Sequence, residues 1–352
     1  MTNSNHSHLW PGAPLALGSA ALFGATPPMA KLLLSAVDPF MLAGLLYLGA
    51  GLGLGAYRLF FAGRRSSEAA LRRSDAPWLA IAICAGGVLA PVLLMLGLKY
   101  TAASTGALLL NLEGLATMAI AWLVYRENVD RRLLVGALAI LAGAFILAWD
   151  GAGLNLSLGA LLIVGACICW GIDNNVTRKI SAADPVTIAM LKGLAAGAVN
   201  IAVAISIGAP MPSLSIIGAA ALVGVLAIGA SLVMFILALR HLGTARTGAY
   251  YSLAPFIGAL IAVGLLGDAV TIQLLVAGIL MSLGLWLHLS ENHDHWHDHE
   301  ALEHEHRHVH DEHHQHAHAG DVKEPHTHWH RHEPMGHKHV HYPDIHHRHS
   351  HG

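Results

Sequence analysis

Residues 102–124 read AASTGALLLNLEGLATMAIAWLV, 23 positions with a single ionisable side chain, Glu113, close to the middle. A helix crossing the hydrocarbon of a bilayer needs about 20 mostly apolar residues, so this stretch reads as a membrane span. Working outward, comparable stretches recur near Leu15 to Val37, Phe40 to Phe61, Trp78 to Leu98, Leu133 to Trp149, Leu156 to Val176, Val186 to Ile207, Leu214 to Leu239, Thr244 to Leu266 and Ile272 to Leu287. With Ala102 to Val124 they make ten. Short polar or proline cues separate them, such as Asp38-Pro39, Arg126 to Arg132, Asp184-Pro185 and Ala209 to Pro212.

Composition agrees: 55% of the residues are apolar and 12% charged, against about one-quarter charged in an average soluble domain. The polar residues are segregated, because Glu291 to Gly352 is rich in His, Asp, Glu and Arg while the chain before it is nearly all apolar. The N-terminus lacks a basic leader and its first apolar stretch is long enough to span, so a cleaved signal is not expected. Cys84, Cys167 and Cys169 all fall inside spans, which suggests neither a disulfide framework nor a thiolate zinc site.

Lysine and arginine set the orientation. With the N-terminus in the cytoplasm, inside loops carry Arg58, Arg64, Arg65, Arg72, Arg73, Arg126, Arg131, Arg132, Arg178, Lys179, Arg240 and Arg246; outside loops carry Lys31 and Lys99. This positive-inside bias predicts cytoplasmic N- and C-termini in a bacterial-type inner (plasma) membrane.

The chain also repeats itself. A shift of 141 places Leu98-Lys99 on Leu239-Arg240, Leu112 on Leu253, Glu127 on Asp268, Leu133-Leu134 on Leu274-Leu275 and Gly143 on Gly284. Near the starts of the halves a shift of 147 pairs Phe23-Gly24 with Trp170-Gly171 and Lys31 with Arg178, and Asp38-Pro39 meets Asp184-Pro185 after one deletion. Five spans per half is an odd number, so the halves lie in opposite orientations. The expected fold is an all-α integral membrane protein of ten transmembrane helices in two inverted five-helix repeats, followed by a disordered C-terminal tail.

These residues resemble the drug/metabolite transporter superfamily, in particular its EamA-type members with two five-helix domains. The likeness rests on Phe23-Gly24, Trp170-Gly171, Asp184-Pro185 with Lys192, Leu98-Lys99-Tyr100-Thr101-Ala102-Ala103, Leu112-Glu113, Pro255, Glu127 and Asp268, and covers residues 15 to 288. Two departures from the family pattern stand out: Leu46 occupies the first-half position that Lys192 fills in the second, and a Glu-Pro pair is split between Glu113-Gly114 and Ala254-Pro255. The implied boundaries are a cytoplasmic segment over 1–14, EamA-like repeats over 15–149 and 156–288, and a His-rich tail over 291–352.

Ionisable side chains deep in hydrocarbon are costly and usually line a cavity or pair with one another. Three occur here, Glu113, Asp173 and Lys192. Glu113 reads either as a proton carrier or cation contact, or as a protonated acid bonded to a neighbouring helix. Asp173-Asn174-Asn175 sweep roughly 200° of a regular helix, so the three cannot share one face; either one caps backbone or the helix opens there. Lys192 either snorkels or faces the interior, where an ion pair with Asp173 is allowed. With Asn111 these form the candidate substrate and coupling set. Pro27-Pro28, Pro91 and Pro255 favour kinks. Because Asn174-Asn175 match Pro27-Pro28, the first and sixth helices are expected to be irregular at equivalent depths. Gly49, Gly51, Gly53 and Gly55 are read as close-packing positions.

Of 27 histidines, four (His6, His8, His241 and His288) precede Ser290; the rest crowd the tail. His293, His295, His297, His299, His304, His306, His308, His310, His313, His314, His316 and His318 stand in dense, irregular steps with interleaved acids. Neutral imidazole suits zinc, nickel and copper, and such density lets several ligands close on an ion without a folded cage. The tail otherwise reads as merely solvated, and its low complexity predicts disorder when metal-free. No cofactor is required by the body.

The expectation is a secondary transporter exporting a small metabolite or drug-like solute, with a metal-binding tail. Alternatives are a divalent metal exporter for nickel, cobalt or zinc, and a membrane-anchored metal buffer or sensor. No nucleophile-and-base constellation or phosphate-binding loop supports an enzyme. The partners implied are the lipid bilayer and a small-molecule or ion substrate, with no nucleic acid; a homodimer stays open.

Overall fold

The computed structural model describes residues 11–60, 71–125, 131–149, 156–180, 183–289, 294–299, 302–308, 326–332 and 335–340. Arg64, Arg65, Arg126, Glu127 and the tail positions His293, His310, His313, His314, His316 and His318 lie outside the described residues. The chain divides into two units, Met1–Ser290 and Glu291–Gly352.

The first unit is helical. Its spans are α1 in two pieces, Gly12–Gly24 and Thr26–Leu33; α2, Pro39–Phe60; α3, Arg73–Tyr100; α4 in two pieces, Ala103–Leu109 and Leu112–Tyr125; and α5, Arg131–Ala148. The second half supplies α6, Leu158–Ile180; α7, Pro185–Ser206; α8, Leu214–Leu242; α9, as Thr244–Tyr251 and then Ala254–Ile261 running on to Leu266; and α10, Ile272–Leu289. Among the described residues nine helices, α2 to α10, are long and apolar enough to cross a membrane. The tenth expected span, α1, is present but broken. Pro27 and Pro28 lack the N–H groups that would bond the carbonyls of Phe23 and Gly24, and the helix restarts after Ala25.

Several of the irregularities obey the repeat. A shift of 141 carries the π-helical turn Ile83–Leu89 inside α3 onto the π-helical turn Gly224–Ala230 inside α8, and carries Arg131–Ala148 onto Ile272–Leu289. Both α4 and α9 break at matching places. In α9 the break precedes Pro255. In α4 no proline is present; the Asn111 side chain takes the Leu108 carbonyl at 2.8 Å, competing with the helical ladder.

One expectation fails. α6 is an unbroken α-helix through Asp173, Asn174 and Asn175, ending in a tight turn over Arg178–Ile180. Unlike the Pro27-Pro28 pair they match, these residues keep their backbone donors, and their side chains are satisfied elsewhere, so nothing forces the helix open.

The repeats interdigitate: α2 packs on α7, α5 on α10, α3 on α6 and α1 on α8. Every one of these pairs joins one repeat to the other. Glycines let the backbones meet. A Cβ added at Gly51 would stand 2.6 Å from the Leu194 nitrogen, and one at Gly193 2.8 Å from the Tyr47 carbonyl. Without a hydrophobic force between helices in lipid, such close approach is the main source of association. The α5–α10 pair is fastened at both ends: Gln273 donates to the carbonyls of Ile146 and Trp149, and the His288 ring bonds the Leu133 carbonyl at 2.9 Å.

In the second unit the described residues form four strands, β1 Asp294–His299, β2 Leu302–His308, β3 His326–His332 and β4 Met335–Val340. β1 pairs with β4 and β2 with β3, both antiparallel, so His295 stands opposite His339 and His304 opposite His330 along the backbone. Isolated two-stranded ribbons are marginal in water, in keeping with a polar tail that has no apolar face to bury.

The α2–α7 crossing yields a test. Gly193→Ala should destabilise the detergent-purified protein by about 1–3 kcal/mol, the usual range for overpacking, and lower its thermal midpoint. Gly218→Ala is the control, since nothing lies within 4 Å of its added Cβ. Equal midpoints for the two variants would show that the crossing tolerates a wider separation.

Candidate functional site

The polar chemistry of the body gathers where α3, α4, α6 and α7 meet. On α6, three successive side chains part company, as the helical geometry requires. Lys192 on α7 donates to Asp173 Oδ2, and the Asp173 side chain is 3% exposed against 21% for Lys192. One turn on, Thr177 donates to Asp173 Oδ1 at 3.0 Å. Asn174 turns to α4, where its Nδ2 donates to Glu113 Oε1 and to Thr117 Oγ1, both at 3.1 Å. Asn175 is buried and donates to the Thr117 and Gly171 carbonyls at 2.9 and 2.8 Å.

The π-helical turn of α3 closes the site from another side. Its wide ladder leaves carbonyls to be claimed by side chains. The Gly86 carbonyl accepts from the Tyr47 hydroxyl at 2.9 Å and from Trp170 Nε1 at 3.1 Å; the Gly87 carbonyl accepts from Asn200 at 3.3 Å. Gly86 also has to be glycine. A Cβ there would stand 1.9 Å from Asp173 Oδ2.

The structure thus brings together five of the six residues expected from sequence. Glu113 and Asn174 bond directly, Asn175 joins them through Thr117, and the Asp173–Lys192 pair lies within electrostatic reach of Glu113. Asn111 stands apart, half-buried at the α4 break, with its amide toward Leu108 and Met281 on α10. Snorkelling does not describe Lys192, because its ammonium is held by a buried carboxylate. Residues that sequence reasoning missed are Tyr47, Gly86, Thr117, Thr177 and Asn200. A hydroxyl or glycine in an apolar span carries no distinguishing signal, and the π-turn that exposes the Gly86 carbonyl has no sequence signature.

The charges decide what the site can do. Asp173 and Lys192 cancel, so the assembly carries one net negative charge when Glu113 is ionised and none when it is protonated. Next to Glu113, Gly114 faces open space: no atom lies within 4 Å of where a Cβ would stand, and Asn174 is exposed.

Among the described residues, nine helices able to cross a membrane and the broken α1, in two inverted, interlocked repeats with a polar cluster between them, fit a multi-pass membrane transporter of small solutes. The chain belongs to the EamA-like transporter family, whose sequence pattern matches residues 10–149 and again 157–290. It is 27% identical over 282 residues to an uncharacterized transporter of Methanothermobacter thermautotrophicus, covering 75% of this chain and 82% of the relative. Similarity to the uncharacterized transporter YyaM of Bacillus subtilis is 22% over 202 residues, 54% of this chain and 66% of the other. A solved crystal structure shares the fold with a TM-score of 0.57 at 21% identity, over 78% of this chain and 96% of that one.

Removing one partner of a buried pair leaves an uncompensated charge, at a cost of about 3–5 kcal/mol. Asp173→Asn and Lys192→Met should therefore each lower the yield of folded protein, and the double variant should recover most of it. Additive losses in thermal-unfolding midpoints would mean that the two side chains do not depend on each other.

Proposed function

We propose that this chain is a secondary transporter that exports a small metabolite or drug-like solute across the plasma membrane, with Glu113 exchanging a proton for contact with the solute. The observation that carries this reading is Glu113 itself. It lies near mid-membrane and accepts a hydrogen bond from Asn174, and among the described residues no cation is bonded to it, whereas the neighbouring Asp173 already has Lys192. A carboxyl so placed is neutral with its proton and attractive to a donor or cation without it, so either occupant excludes the other. An inward proton gradient then drives the solute outward as the two repeats rock about the site. The excess of lysine and arginine in one set of loops supports termini in the cytoplasm.

Glu113→Gln keeps the shape and the hydrogen bond but removes ionisation. Cells lacking the transporter, complemented with the wild type or with Glu113→Gln, should be compared across a panel of amines, amino acids and nickel, cobalt and zinc salts. The variant, at wild-type abundance, is expected to match the uncomplemented strain. Wild-type efflux with unchanged pH dependence would sink the reading.

The histidine-rich tail favours a second reading, export of a divalent metal such as nickel, cobalt or zinc. Against it, among the described residues no three His, Cys, Asp or Glu side chains come together. In either case the tail is proposed to bind zinc, nickel or copper. Imidazole binds metal when neutral and its ordinary pKa is about 6.5, so binding should weaken steeply as pH falls through about 6. Metal titration of the full chain against one truncated before Glu291 reads this directly. Equal, weak uptake by both would remove the tail's metal role. Tail-dependent organic efflux in metal-poor medium would show that the tail acts otherwise.

A further inference from the structure

Away from the polar cluster, the start of α7 and the last turns of α8 flank a cavity of about 360 Å³, lined by Pro185, Leu232, Phe235, Ile236, Leu239 and Arg240. The α8 residues fall at i, i+3, i+4, i+7 and i+8, one stripe of the helix running about 12 Å along its axis. Glycines explain why the space is not closed. Gly12 and Gly18 let α1 meet α8 at Leu242 and Met234, and Gly193 and Gly197 let α7 meet α2 at Tyr47 and Leu48. The stripe that faces the cavity has no glycine, and among the described residues α7 and α8 have no comparable packing against each other.

Aromatic rings join this cavity to the carboxyl site. Phe235, on its wall, packs edge-on against Tyr251 of α9 with ring centroids 4.8 Å apart, and Tyr251 leans on Phe23 of α1 at 5.4 Å. Tyr251 is in turn within electrostatic reach of Glu113. The two places offer opposite chemistry. Glu113 supplies the one uncancelled charge of its cluster, whereas the cavity lining is apolar but for Arg240 and contains no acid, so it has nothing to hold a positive group. An apolar space forfeits dispersion contacts all round its lining, and a site of this kind and size takes up apolar ligands rather than water.

We infer that the α7–α8 cavity is a second subsite of the transporter, taking an apolar chain or ring carried by a solute whose cationic group sits at Glu113. This rests on the reading of Glu113 as the residue that contacts the solute. The solute is then an amphipathic amine or ammonium ion rather than a free metal ion, because only a ligand with a charged end and an apolar end gains from both places. Phe235 and Tyr251 stand between the two, and their rings suit such a molecule. An aromatic face attracts a cation electrostatically, and it packs against an alkyl or aryl group by dispersion.

The probes are tetramethylammonium and butyltrimethylammonium, which share a permanent charge and differ only in the length of one alkyl arm. Binding to the full chain in lipid nanodiscs is followed by calorimetry, with empty nanodiscs as the blank. Each buried methylene is worth about fourfold in affinity, so the butyl cation should bind at least about tenfold tighter. Ile236→Trp, which fills the cavity, should bring the two affinities together. Should that variant fail to fold, Leu239→Ala, which widens the cavity, should move the preference to the hexyl cation. Glu113→Gln should weaken both cations alike. Equal affinities in the wild type, or no binding of the butyl cation, would overturn the subsite. So would a butyl preference that neither Ile236→Trp nor Leu239→Ala alters, the outcome of a cavity filled by lipid chains. Undiminished binding by Glu113→Gln, with a butyl preference that Ile236→Trp removes, would keep the cavity as a subsite and refute the reading of Glu113 on which the placement of the cation rests.

Discussion

A carbonyl that leaves the helical ladder inside a bilayer has no water to bond, and this chain answers that constraint with side chains, many of them from another span. Tyr47 and Trp170 take the Gly86 carbonyl, Asn200 the Gly87 carbonyl, and Lys31 those of Leu98 and Thr101. Ser19 and Ser231 each donate to the other's carbonyl, at 2.7 and 2.9 Å, joining α1 to α8. Irregular backbone at membrane depth is tolerated only where it is buried in protein. Where the side chain comes from the other repeat, as Trp170 does for Gly86 and Asn200 for Gly87, the departure ties the halves together. Such departures lie where the repeats touch, and so does the polar cluster.

The same constraint explains what could be read from the sequence. Span positions were legible because apolar length is a one-dimensional signal; Pro39–Phe60 and Ile272–Leu289 fall within a few residues of the stretches expected. The repeat was legible because spacing survives divergence. Glu113, Asp173 and Lys192 stood out as charges in an apolar background. Apart from the Asp173–Lys192 pair, what escaped was what depends on who faces whom. The matching of Asn174-Asn175 to Pro27-Pro28 suggested a second broken helix, yet prolines lack backbone donors and asparagines do not. Thr117 looks like any span threonine until its hydroxyl is seen bonded to Asn174.

Charge balance gives the site its character. A buried ion pair contributes little net stability but is costly to half-remove, so Asp173 with Lys192 acts as a fixed, neutral wall, further pinned by Thr177 and by the absence of a side chain at Gly86. The halves differ here: Leu46, the repeat partner of Lys192, packs against Gly224 in the π-turn of α8 and brings no charge to it.

The break in α1 makes that helix two tools rather than one. Its first piece is clasped to α8 through Ser19 and Ser231, while its second piece ends in the lysine that holds α3. Between them stands Ala25, where the helix breaks. At about 1.5 Å of rise per residue, Lys31 sits on an arm of about 9 Å, and a swing of about 20° would carry its root through about 3 Å. That travel is comparable to a hydrogen-bond length. A modest rotation at the two prolines would therefore be enough to carry Lys31 off the α3 carbonyls while the first piece of the same helix stays bonded to α8.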